Sequence, residues 1–181
     1  MLINSKEAEL AAVISAAQAI CAAARTAPKA CGIDHLDTVI LTAADKDALV
    51  AEMRRLGEEA GAEARGKTIL RDAGNVDAAQ AVVLVGAKYE TRHLGRVCGL
   101  CGFAEGCAAC EKAGAICAFT AMDLGIALGS AVALAADLRI DNRMMFTIGK
   151  AAASLGLLAE HKMIVGIPLS VSGKSPFFDR K

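Results

Sequence analysis

Twenty basic side chains balance twenty acidic ones in a chain of 181 residues, and aromatic residues make up 3% of it. That excludes a phosphate-tracking face and a base-stacking platform, and with them a nucleic-acid partner. One hydrophobic core suffices at this length, so residues 1–181 read as a single domain without a linker. The opening run Met1-Leu2-Ile3-Asn4-Ser5-Lys6-Glu7 lacks the basic-then-apolar order of a secretion signal, and the expectation is a cytoplasmic protein. In a reducing compartment seven cysteines point away from disulfides and toward metal ligation, catalysis or burial.

In chain order, residues from about Glu7 to Ala24 are strong helix formers with neither Gly nor Pro, and predict a helix. Leu10, Val13, Ile14, Ala17 and Cys21 share its apolar face, which makes Cys21 a buried hydrophobe. Pro28 ends this helix and Gly32 turns the chain in a loop that also carries Arg25, Lys29 and Cys31. The β-branched run Leu36 to Thr42 predicts a strand. Asp45-Lys46-Asp47 opens a helix to about Ala60 with the stripe Leu49, Met53, Leu56. Gly61 to Gly66 closes it, and Lys67 to Asp72 reads as a short edge strand. Ala81-Val82-Val83-Leu84-Val85-Gly86 has no polar alternation, as expected of a central strand covered on both faces.

A polar lead-in follows, where Arg92, His93 and Arg96 read either as a solvated connector or as cations beside a thiolate cluster, with His93 alternatively relaying a proton. Residues from about Cys110 to Leu138 predict helix, broken near Phe119 to Gly125. Its length approaches a membrane span, but Asp123 lies within it and its apolar residues are small. It therefore reads as a buried or subunit-interface helix, and no membrane is expected. Cys117 reads as packing rather than as a ligand. Asp141-Asn142 reads as a cap before a helix ending at Gly156, and Lys162 to Pro168 as the last strand. In the polar tail, Lys174 and Arg180 either reach a phosphate or face solvent.

Between the central strand and the long helix lies the strongest chemical signal. Cys98, Cys101, Cys107 and Cys110 form a C-x2-C-x5-C-x2-C loop punctuated by glycines, residues 98–110. Four soft thiolates so close together suit a metal centre. Zinc usually spreads its C-x2-C pairs over a dozen or more residues, whereas iron–sulfur clusters accept close spacing. The spacing matches neither common ferredoxin run, so a [4Fe-4S] cluster, zinc and a metal-free loop all stand as readings, in that order. There is no dinucleotide or P-loop glycine motif, and His35, His93 and His161 form no hydrolytic arrangement with Ser and an acid.

Ala23 to Gly32 with the strand and helix after it resembles the first helix and ligand loop of FMN-dependent nitroreductases. Asp123-Leu124-Gly125-Ile126-Ala127-Leu128 is similar to that family's acid-x-Gly-x-Ala helix, whose start lies beside the flavin ring. The last strand and basic tail resemble that family as well. With the cysteine loop included, nearly the whole chain resembles the prokaryotic ferredoxin-domain-containing family DUF2148. The resemblance implies an α+β nitroreductase-like sandwich with a mostly antiparallel sheet flanked by helices, a homodimer, and FMN at the subunit interface. It implies FMN-phosphate contacts at Arg25, Lys29, Lys174 and Arg180, and backbone approach to the ring at Asp123, Gly125, Ile126 and Ala127. The sequence departs from nitroreductases in lacking their N-terminal Arg cluster and in carrying Ser130 where Asn is common. The function so implied is a redox protein coupling the cluster to a flavin for an unknown acceptor. The rival is a non-enzymatic binding or regulatory protein with structural zinc and no flavin. The first reading requires the cysteine loop to lie close to the helix start near Asp123.

Overall fold

Val82, Val83, Leu84 and Val85 are all fully buried, and their side chains divide between two apolar cores. Successive side chains of a strand point to opposite faces, so a strand with no polar alternation must be covered twice. The computed structural model describes residues 2–61 and 64–178. Its elements are α1 (Ser5–Thr26), β1 (Leu36–Leu41), α2 (Ala43–Glu59), α3 (Ala64–Asp77), β2 (Ala81–Lys88), α4 (Cys107–Lys112), α5 (Ala118–Asp137), β3 (Asp141–Asn142), α6 (Phe146–Ser154) and β4 (His161–Ser170). The sheet is antiparallel throughout, in the order β1-β2-β4-β3, so β2 is central as expected.

One face carries α1 and α5 over Val83, Val85, Ala87, Ile167 and Leu169. The other carries α2, α3 and α6 over Val82, Leu84 and Ile164. Each fully buried Val or Leu contributes about 1.5–3 kcal/mol relative to exposure. α1 begins two residues earlier than expected because Asn4 and Glu7 form a reciprocal capping box. By length and composition α1 and α5 could each cross a membrane. They lie against each other on one face of the sheet, tied by the Ser130 hydroxyl, which donates to the Ala23 carbonyl at 3.0 Å.

Three expectations are corrected. Lys67 to Asp72 is not an edge strand but part of α3, whose Ala73 and Val76 pack on α2. Gly57 and Gly66 let the two backbones meet: a Cβ on Gly66 would stand 2.8 Å from the Gly57 carbonyl oxygen. The break in the long helical run lies at residues 113–117, not near Phe119 to Gly125. Gly114, at φ +63°, ends α4 and the Ala115 N–H returns to the Cys110 carbonyl. Asp141 and Asn142 do not cap a helix; they pair with Ser170 and Leu169 as β3. On the far face α6 presses onto β4 with no side chain between them, since a Cβ on Gly149 would stand 1.7 Å from the Ile164 carbonyl oxygen.

Candidate functional site

The loop between β2 and α5 takes its shape from glycine. Gly95, Gly99, Gly102 and Gly106 all have positive φ, and the Gly102 and Gly106 amides close turns onto Gly99 and Phe103. At Gly106 the chain doubles back so tightly that a Cβ would lie 2.9 Å from the Arg96 nitrogen. The fold-back brings Cys98, Cys101 and Cys107 to one pocket together with Cys117, Arg92 and Phe119. Cys117, Ala118 and Phe119 form the beginning of α5, so the loop lies against that helix start, as the redox reading requires.

Cys110 is placed differently. It is fully buried behind the pocket, its Sγ donating to the Ala115 carbonyl at 3.6 Å, and the Tyr89 hydroxyl donates to its carbonyl at 2.9 Å. Burial pushes its thiol pKa up, and a hydrogen bond with Cys101 raises it further. Among the described residues no three His, Cys, Asp or Glu side chains form a ready-made single-ion site. The pocket has room for about 10 Å³, roughly one water. The donor chemistry of the lining thiols suits a thiolate-bound centre.

Of the three cations before the loop, His93 and Arg96 are exposed and Arg92 is buried, its side chain 1% accessible. Arg92 Nη2 donates to Asp123 Oδ2 at 3.0 Å and lies 2.6 and 2.7 Å from the two ring nitrogens of His35. His35 Nδ1 lies 3.0 Å from the Ile33 carbonyl. Asp123 Oδ1 accepts from the Ala30 amide at 3.0 Å, in the turn after α1. One carboxylate thus joins the α1 loop to the arginine that lines the cysteine pocket. Arg92 Nε–H alone in this network has no partner and is buried. Nothing local in the sequence marks His35 or Arg92 for this role, since they lie 57 residues apart.

The other sequence candidates are spread more widely. Arg25 pairs with Asp34 at 2.6 Å and also donates to the Leu36 carbonyl. Lys29 Nζ donates to the Arg25 and Ala27 carbonyls at 2.6 and 3.0 Å. On α5 Gly125 and Ile126 face outward and Ala127 is buried, while Lys174 is exposed beyond β4. Arg180 lies outside the described residues. A larger cavity of about 670 Å³ opens between α2, α3 and α6, lined by Leu56, Ile69 and Phe146 and rimmed by Glu59, Arg65 and Lys150. No cysteine lines it.

These features define an α+β protein of the nitroreductase-like fold with a thiol-rich loop set against its long helix. A nitroreductase with bound FMN from Bacteroides fragilis superposes with TM-score 0.59 at 13% identity, covering 100% of this chain and 84% of that one. One with bound FMN from Desulfitobacterium hafniense gives 0.58 at 17%, covering 96% and 81%. A BluB-like flavoprotein from Clostridium difficile gives 0.58 at 16%, covering 100% and 87%. At such identities the likeness establishes the fold. A protein of Archaeoglobus fulgidus is 42% identical over 188 residues, covering 99% of this chain and 98% of its own length. Residues 113–180 match the family described as uncharacterized proteins containing a ferredoxin domain (DUF2148), and the chain belongs to that family.

Proposed function

We propose that this chain is a redox protein in which a thiolate-bound iron–sulfur centre in the 98–110 loop works beside a flavin site. The observation that carries the reading is the Arg92–Asp123 pair. It links the lining of the cysteine pocket to the Ala30 turn and the α5 start, where the nitroreductase resemblance puts FMN. Cys98, Cys101 and Cys107 would be ligands, and the sequence spacing suggests Cys110 as the fourth. Arg25, Lys29, Lys174 and Arg180 would meet the FMN phosphate, with Asp123, Gly125, Ile126 and Ala127 near the ring. A cluster supplies single-electron transfer and a flavin supplies exchange between one and two electrons. Arg92 would hold buried positive charge beside the thiolates of a bound centre. The setting proposed is a cytoplasmic homodimer. Protein purified anaerobically should be brown, with iron and sulfide in matching amounts, and FMN should shift its absorbance and raise its Tm. Colourless protein with stoichiometric zinc and no response to FMN would establish the rival, a zinc-tied scaffold without flavin. The internal engagement of Arg25 and Lys29 favours that second reading for the phosphate site.

A further inference from the structure

The fourth sulfur is the point at which sequence spacing and geometry part. Cys110 completes the second C-x2-C pair, yet it does not line the pocket, is fully buried, and has the Ala115 carbonyl 3.6 Å from its Sγ. Cys117 lies outside the thirteen-residue loop, but it lines the pocket with Cys98, Cys101 and Cys107. It occupies the residue just before α5, held there by the turn at Gly114 that separates α4 from α5. That turn interrupts what the spacing alone reads as two further helical turns. A second, independent feature points to the same pocket. The buried Arg92 Nε–H has no acceptor among the described residues, while its Nη2 is fixed by Asp123 and His35. An orphaned buried donor is costly unless an acceptor arrives, and sulfur of a thiolate-bound centre would be one.

We infer that Cys117, not Cys110, completes the ligand set, giving the spacing C-x2-C-x5-C-x9-C, and that Arg92 Nε–H donates to a sulfur of the bound centre. This inference rests on the proposed metal-binding reading of the loop and goes beyond it by assigning the fourth ligand. Cys110 then acts as a buried thiol in hydrogen-bond contact with the ligand Cys101. The four ligands come from the loop and from the first residue of the α5 cap, so the centre is clamped between a pliable segment and a rigid helix. A structural spacer at position 117 would explain burial but not the shared pocket with three other thiols.

The test is reconstitution of the full-length chain with iron and sulfide under anaerobic conditions, comparing wild type, Cys117→Ser and Cys110→Ser. Far-UV circular dichroism and thermal melts report folding. The expected result is a loss of most bound iron in Cys117→Ser and wild-type iron content in Cys110→Ser. The reverse pattern, or full iron content in both variants, overturns the assignment while leaving the metal-binding reading intact. Wild type that takes up neither iron nor sulfide overturns both. Should Cys117→Ser fail to fold, wild type loaded with an NMR-active cadmium isotope gives the answer directly. Scalar coupling from the metal to the Cys117 β-protons supports the assignment, and coupling to those of Cys110 refutes it. A lower midpoint potential for the reconstituted Arg92→Gln protein, with iron content unchanged, is expected from loss of a donor and a positive charge beside the centre. An unchanged potential would refute the role given to Arg92.

Discussion

On the α2/α3/α6 face of the sheet, Leu49, Met53 and Ile148 fill the interior, Gly66 and Gly149 let backbones touch, and Gly57 and Gly166 make room for the Leu70 and Ile148 side chains. On the α1/α5 face an equally apolar layer of Val13, Ile20, Leu124 and Ala131 adjoins His35, Arg92 and Asp123, all buried. The first face also buries Asp72, which accepts from the Thr147 hydroxyl at 2.7 Å, and Lys46, which donates to the Asp77 carbonyl at 3.1 Å, so its buried charges are met. The second leaves Arg92 Nε–H unmet, and a buried ion pair is often no more stabilising than well-packed hydrophobic residues of the same size. Charges sequestered at one end of one layer, with a donor left over, set that end apart from the packed face.

Breaking the polar cluster should have the largest effect. Asp123→Leu leaves Arg92 buried without its counterion, and a loss of about 3–5 kcal/mol is expected in urea unfolding. The double variant Asp123→Leu/Arg92→Leu should recover part of that loss, which a double-mutant cycle measures. On the packed face Gly149→Ala drives a methyl into the Ile164 carbonyl and should cost about 3 kcal/mol. The folded fraction of that variant should still load iron like wild type, because the cysteine pocket lies on the other face. Gly106→Ala should separate the two properties in the opposite sense. Its strained φ and close contact with Arg96 should cost about 1–2 kcal/mol while abolishing most metal uptake.

The smallest effect expected is at the α2–α6 surface. Arg55, and after it the Ser154 hydroxyl, hold the Glu52 carboxyl down at about 2. A depressed carboxyl contributes stability above its ordinary range and loses it as the pH falls toward that value. Glu52→Gln should therefore melt slightly below wild type at neutral pH and coincide with it near pH 2, in paired thermal melts.

Where local pattern decides structure, the sequence was a good guide. The alanine-rich α1, the unbroken apolar β2 and the stripe of α2 each carry their own periodicity, and the thiol spacing located the loop beside the start of α5. Elements settled by partners were not legible. α3 is a helix because α2 offers Gly57 as a place to lie, and β3 exists because β4 extends far enough to pair with it. Gly114 hid the position of the helix break, since glycines also run along the exposed side of an uninterrupted α5. His35 and Arg92 reach Asp123 from 88 and 31 positions away, distances that no motif spans.

Neither apolar core draws a residue from positions 89–123. The whole stretch carrying the pocket is thus attached to a sandwich that closes without it. In a zinc finger, binding free energy is folding free energy, and a chelator unfolds the domain. Here the sandwich should form first and the centre be installed afterwards, so chelator-treated protein should keep its helical signal and cooperative melt. On the proposed metal-binding reading, maturation is then a step performed on a folded protein that already carries the free thiols Cys98, Cys101, Cys107, Cys110 and Cys117.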